Sequence, residues 1–287
     1  MVAQNLIFGL LTGALYGLAA AGLSLVFGVL RVLNVAHGEL IMIGGYASFW
    51  LFVSFGMDPF LSLLITAPLM FVIGLGVHQG IFMHVEALDE EPRIKNSLLL
   101  GFGLALAFHN LAVRLWTADE RSIPTAYSGA VLIVRGLVFP WVRLGALGIA
   151  VVVIVAAHLF LRHSYPGRAI RAVAEDWEAA LLAGIDVRRM YLIAFALGSA
   201  LAGVAGTLIS VGYSINPSIG PEWTIKALIV VVLAGLGSMP GTFLAGLLLG
   251  LAEACSALVL GSAYREVVSL VLFLLVLMIR PQGLFGR

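Results

Sequence analysis

Charge is scarce in this chain. Of 287 residues, 11% are charged and 61% are apolar, and the mean hydropathy is +1.09. A soluble domain carries roughly twice that charged fraction, so a soluble globular enzyme is all but excluded before any motif is read. Disorder is excluded too, because disordered chains are poor in apolar residues and rich in net charge. Sixteen basic and 15 acidic residues nearly cancel, so no basic field points to nucleic acid. The one cysteine, Cys255, rules out an internal disulfide framework. There are two lysines, Lys95 and Lys226, and neither stands in GxxxxGK[ST]; the chain has no phosphate-binding loop of that kind. HExxH is also missing, and no cluster of acid, base and nucleophile or of metal ligands stands out.

What is present is a series of long apolar runs. Leu6–Leu30 holds no charge at all. A helix needs about 20 mostly apolar residues to cross the hydrocarbon. No basic residue precedes this run, and it is too long for a signal-peptide core, so a spanning helix is expected rather than a cleaved leader. Further runs lie at 40–57, 60–82, 98–116, 141–161, 191–213, 225–236, 242–260 and 267–279. The expectation is an all-α, polytopic integral membrane bundle of about eight to ten transmembrane segments, forming one domain over 1–287. The runs at 225–236 and 267–279 are shorter than a full span. With nine crossings and an outside N-terminus, ten of the 16 basic residues, from Arg31 to Arg287, fall on the cytoplasmic side and six outside. Five arginines of that side sit in the 162–189 loop, and the C-terminus is expected inside.

Lipid tails give helices no hydrophobic reason to associate, so small residues must let backbones approach. Gly9, Gly13 and Gly17 form one stripe, Gly198, Ala202 and Gly206 a second, and Gly246, Gly250 and Ala254 a third. All three read as packing seams. Within LAGLGSMPGTFL, from Leu233 to Leu244, the glycines and Pro240 interrupt a helix, and a short cytoplasmic turn between two spans is expected.

Two loops carry polar groups. Arg31–Glu39 brings Asn34, His37, Gly38 and Glu39 together. This is either a polar turn at the headgroups or a break beside a transport path, since polar groups at membrane depth are costly. In Arg162–Arg189, Ile170, Val173, Ala174, Trp177 and Leu181 recur at helical spacing, and the other face carries Arg171, Glu175, Asp176 and Glu178. One amphipathic helix is expected here, with Gly184 as its C-cap. Its mixed, acidic face fits a protein partner better than anionic lipid.

At these residues the chain resembles the branched-chain amino acid permeases of ABC importers. Glu178-Ala-Ala-Leu-Leu-Ala-Gly184 matches E-A-A-x-x-x-G, within GRAIRAVAEDWEAALLAGIDVRRM from Gly167 to Met190. LRVLNVAHGELIMIGGY (30–46), IKALIVVVLAGLGSMPGTFLAGLLLGLAEA (225–254) and IRPQGLFGR (279–287) resemble the other blocks of that family. The resemblance implies a permease subunit of the bacterial or archaeal inner membrane, paired with a second permease chain. Separate cytoplasmic ATPase subunits would drive it, and a periplasmic or lipid-tethered binding protein would deliver the solute. It implies that Glu178, Ala179, Ala180 and Gly184 form the joint with the ATPase; periodicity adds Trp177 and Leu181. Asn34, His37, Gly38 and Glu39 are the candidates for the translocation path. No cofactor or metal is implied.

The implied solutes are branched-chain, hydrophobic amino acids, with urea, short amides and aromatic acids as family alternatives. His78, His109 and His158 read as packed or interfacial residues, and Glu253 and Arg114 as snorkelling to an interface. An ion-coupled transporter would need titrating acids inside the membrane, for which only Glu253 and Glu39 qualify. A membrane-embedded enzyme lacks a catalytic cluster.

Overall fold

The computed structural model describes residues 2–86, 88–235 and 237–285. Leu236 of the 225–236 run and Arg287 of the basic count lie outside them. Eleven α-helices are described: α1 (Val2–Leu30), α2 (His37–Phe55), α3 (Pro59–Gly80), α4 (Glu90–Trp116), α5 (Trp141–His163), α6 (Tyr165–Glu175), α7 (Trp177–Leu182), α8 (Val187–Gly212), α9 (Ile219–Ala234), α10 (Met239–Val259) and α11 (Arg265–Ile279). Seven of them, α1 to α5, α8 and α10, are long and apolar enough to cross a membrane. The two runs read as short are α9 and α11, of 16 and 15 residues. One small departure from all-α is the hairpin of β1 (Val131–Val134) and β2 (Leu137–Pro140). Its turn, Arg135-Gly136, has positive φ at both residues, the geometry that suits the twist of a two-residue hairpin. The Gln4 side chain grips β2 from α1, donating to the Val138 carbonyl at 2.6 Å and accepting its N–H at 2.8 Å.

The contacts run α1 antiparallel to α8 and α10, and α3 antiparallel to α8. The end of the bundle where α1 begins is here the near end, and the end where α1 finishes is the far end. α1 and α8 run through the middle and are mostly buried. α3, α4, α5 and α11 turn rows of Leu, Val and Phe outward.

The seams hold this centre together. The stripe on α1 meets the stripe on α10 in antiparallel register. A Cβ added to Gly13 would stand 2.7 Å from the Gly246 carbonyl oxygen, and one added to Gly17 would stand 2.8 Å from that of Phe243. Backbone lies against backbone, which is how dispersion holds helices in lipid. The α8 stripe packs on α1 and α2 instead, with Gly198 on Gly22 and Gly206 on Ile41 and Gly45. α9 ends at Ala234 with Gly235 as its C-cap, and α10 begins at Met239 with Ser238 as its N-cap. Leu284 and Phe285 donate their N–H groups to the Leu233 and Ala234 carbonyls at 2.8 Å, satisfying acceptors that a helix end leaves free.

Outside the spans, Tyr127 ties the long loop before β1 to the α2–α3 turn. Its hydroxyl donates to Asp58 at 2.6 Å and its ring stacks on Phe60. Burial, with the Asp58 carboxylate beside it, pushes the phenol well above its ordinary range.

Candidate functional site

The 162–189 loop folds as two helices rather than the single amphipathic one expected. Ser164 caps α6, accepting the Gly167 N–H at 3.0 Å, and Ile170 and Val173 bury its inner face. Arg171 reaches back and donates to the Leu161 carbonyl at 2.9 Å, which locks α6 to the end of α5. The chain then turns extended at Asp176. Its carboxylate accepts the N–H groups of Glu178 and Ala179, both at 3.0 Å, and so starts α7 afresh. An Asp able to cap does this wherever a helix restart is geometrically open. α7 ends as a Schellman turn. Ile185 donates to the Ala180 carbonyl at 3.0 Å, and Gly184 takes φ +81, a conformation that favours glycine.

The break reorients the residues expected to share one face. Ala180 is buried and anchors α7, whereas Trp177, Leu181 and Leu182 stand in the open, Leu182 at 90% exposure. Asp176 and Glu178 flank them, both exposed. A crevice of about 1100 Å³ opens beside α7, lined among others by Trp177, Leu181, Arg31, Arg93 and Arg188. The ridge of Trp177, Leu181 and Leu182 is thus an exposed apolar patch rimmed by charge.

Asn34, His37, Gly38 and Glu39 are brought together inside the bundle. His37 Nε2 lies 2.9 Å from the Ala19 carbonyl of α1. Ala19 is about 16 Å from Leu30 along the helix axis, at about 1.5 Å per residue. The segment 31–36 therefore climbs back into the bundle, and α2 starts deep inside it. Non-helical backbone survives there only when protein satisfies it, and it does. Ser97 accepts the Leu33 N–H at 3.1 Å, Asn34 Oδ1 the Ala36 N–H at 3.1 Å, and Thr224 the Gly38 N–H at 2.9 Å. Asn34, His37 and Glu39 are wholly buried. Gly38 touches the Gly220 backbone so closely that no side chain would fit. The group is the packed junction of α2 with α9.

A second site escaped sequence reasoning. Glu253 was expected to snorkel to an interface and Lys226 was counted among the six basic residues outside; both are buried and form an ion pair of 2.5 Å. Tyr16 donates its hydroxyl to the other Glu253 oxygen at 2.9 Å, and Ser269 donates to the first. The Lys226 ammonium also lies 5.5 Å from the Tyr16 ring centroid. Four helices, α1, α9, α10 and α11, thus meet at one polar knot. The pair sits at the floor of a cavity of about 560 Å³ at the near end. A sequence rule could have found it: two opposite charges in apolar segments must pair, because neither can be left alone at membrane depth. Arg114 by contrast is exposed, and the His109 ring contacts the Pro217 carbonyl at 3.0 Å.

A tightly seamed bundle of apolar helices, seven of them long enough to cross a bilayer, is the architecture of a polytopic membrane protein. Residues 5–277 match the family described as branched-chain amino acid transport system / permease component. The high-affinity branched-chain amino acid transport system permease protein BraD of Pseudomonas aeruginosa is 34% identical over 99% of this chain and 95% of its own length. LivH of Escherichia coli, of the same description, is 32% identical over the same shares. The probable branched-chain amino acid transport permease LivH of Methanocaldococcus jannaschii is 26% identical over 94% of this chain and 88% of its own. The chain belongs to this permease family.

Proposed function

We propose that residues 1–287 form the single membrane domain of a permease subunit in an ATP-driven importer for branched-chain amino acids. The observation that carries this reading is the arrangement end to end. A polar cavity opens at the near end, and α7 projects its apolar ridge at the far end. With the near end outward and the far end and C-terminus cytoplasmic, solute arrives at the cavity and force arrives at α7.

Separate cytoplasmic ATPases then grip Trp177, Glu178, Ala179 and Leu181, with Ala180 and Gly184 setting the helix in place. A periplasmic or lipid-tethered binding protein feeds the cavity. A second, related permease chain and lipid of the bacterial or archaeal inner membrane cover the outward rows of α3, α4, α5 and α11. Asn34, His37, Gly38 and Glu39 close the path: Gly38 sits on Gly220, one turn before Trp223 at the cavity wall. ATP then shifts the inward–outward equilibrium only by favouring one state over the other, and α6, bonded to α5 through Arg171, passes that bias to the spans. An ion-driven mechanism loses its best residue, because both Glu253 oxygens already have donors.

The test is Gly184→Val in the reconstituted complex. A Cβ there meets nothing within 4 Å, but φ is +81, so a β-branched residue costs about 1–2 kcal/mol in backbone conformation alone. ATP hydrolysis should persist while leucine uptake falls about tenfold, the effect of about 1.4 kcal/mol on a population. Gly184→Asn, which tolerates this conformation, should keep uptake. Normal uptake in the valine variant removes α7 from the coupling joint.

A further inference from the structure

The near-end cavity holds charge of both signs in equal number. Arg143, Lys226 and Arg265 line it together with Glu120, Glu222 and Glu253. Its formal charge therefore cancels while its local fields stay strong. Such a cavity disfavours a lone anion or a lone cation and suits a guest that carries both signs itself.

Some of these groups are already engaged. Lys226 and Glu253 hold each other, and Glu120 accepts the Ser214 hydroxyl at 3.1 Å. Arg143 and Glu222 have no ion-pair partner among the described residues. Arg143 is half-buried and held in place. Its guanidinium lies 5.0 Å from the Phe8 ring centroid and 5.5 Å from that of Tyr213, and the Tyr213 hydroxyl is fixed 3.2 Å from Thr12 Oγ1. A guanidinium stacked on aromatic faces keeps its N–H edge free, the edge that matches a carboxylate in two parallel hydrogen bonds.

The dimensions agree. The cavity is about 560 Å³, within the about 300–1000 Å³ of small-molecule sites. Its lining runs from Asn5 to Tyr16 on α1, a depth of about 16 Å. Trp223 tilts against Tyr16 at the floor, with ring centroids 5.6 Å apart, and with Ile219 gives an apolar wall.

We propose that this cavity reads the charged head of a free α-amino acid. Arg143 takes the α-carboxylate, Glu222 takes the α-ammonium, and Trp223 with Ile219 faces the apolar side chain. The inference rests on the amino-acid transport reading and adds to it that the permease itself, beyond any delivering protein, discriminates the solute.

The experiment uses the complete complex in lipid nanodiscs, without binding protein. Equilibrium binding of radiolabelled leucine is competed with leucinol, which lacks the carboxylate, and with 4-methylpentanoate, which lacks the ammonium. Wild type should prefer leucine over both. Arg143→Leu should weaken leucine binding about tenfold and erase the preference over leucinol; Glu222→Gln should do the same for 4-methylpentanoate. Arg143→Lys keeps the charge without the fork and should fall between. Unchanged preferences in correctly assembled variants overturn the inference while leaucine uptake by wild type leaves the transport reading standing. Loss of binding-protein association in Arg143→Leu with leucine preference intact makes this a docking surface and likewise overturns it. A wild-type complex that takes up another solute and neither binds nor transports leucine overturns both.

Discussion

Replacing Lys226 by methionine would leave the Glu253 carboxylate buried with Tyr16 and Ser269 as its remaining donors. The side chains of the pair are 9% and 7% exposed, so water from the cavity above can replace the lost partner only in part. Removing one member of a buried ion pair costs about 3–5 kcal/mol, mainly because the other charge is left uncompensated. The second arm of the experiment is Lys226→Met with Glu253→Gln. The amide oxygen of Gln still accepts from Tyr16 Oη, which has no other acceptor as close, so no buried hydroxyl is orphaned at a further cost of about 1–3 kcal/mol. The double variant should therefore recover more than half of the loss; since Glu253→Gln alone also leaves a buried charge unpaired, at about 3–5 kcal/mol, the coupling energy between positions 226 and 253 should exceed about 4 kcal/mol. The assay is reversible denaturation in lipid–detergent bicelles followed by tryptophan fluorescence, with all four corners of the cycle measured. If Lys226→Met costs under about 1 kcal/mol, or the two substitutions add within about 0.5 kcal/mol, the pair is solvated or apart and the knot described at the cavity floor is wrong. If the double variant is stable but leucine uptake is lost, the pair serves transport and not only folding.

Two further outcomes follow from packing. Gly246→Val would drive a side chain into the Gly13 and Gly17 backbone; α1 and α10 must separate, at about 1–3 kcal/mol or more, and the assembled complex should lose thermal stability by fluorescence-detected gel filtration, whereas Gly148→Val, with nothing within 4 Å of its Cβ, should not. Gly38→Ala should destabilise the chain as well as stop uptake, since its Cβ meets the Gly220 and Thr224 positions; a variant of wild-type stability would show that α2 and α9 do not join there.

Some of this molecule is written along the chain and some is not. The spans are legible because the cost of placing charge in hydrocarbon is levied residue by residue, so an uncharged run such as Leu6–Leu30 marks a crossing without knowledge of its neighbours. The small-residue stripes are legible for the same reason: spacing of four puts Gly9, Gly13 and Gly17 on one face whatever they meet. The turn after α9 and the cap at Gly184 are local as well, set by the φ that Gly permits and the N–H that Pro lacks. The 162–189 loop is half legible. Its hydrophobic spacing continues through Asp176, but an Asp side chain competes for backbone N–H groups, and the restart it creates turned Trp177 and Leu181 away from Ile170 and Val173.

Depth and pairing belonged to the tertiary structure. Nothing in Arg31–Glu39 states that the chain climbs back into the bundle before α2 begins; that follows from Ser97 and Thr224, on α4 and α9, being there to satisfy its backbone. Nor could composition say that α1's stripe would choose α10's over α8's, since one glycine row resembles another and only the order of helices in space selects its mate. Lys226 and Glu253 stand 27 residues apart, and each alone reads as a residue bound for the interface. Burial is tolerable for the two charges only once folding has set them side by side, because their attraction falls with distance and their desolvation does not.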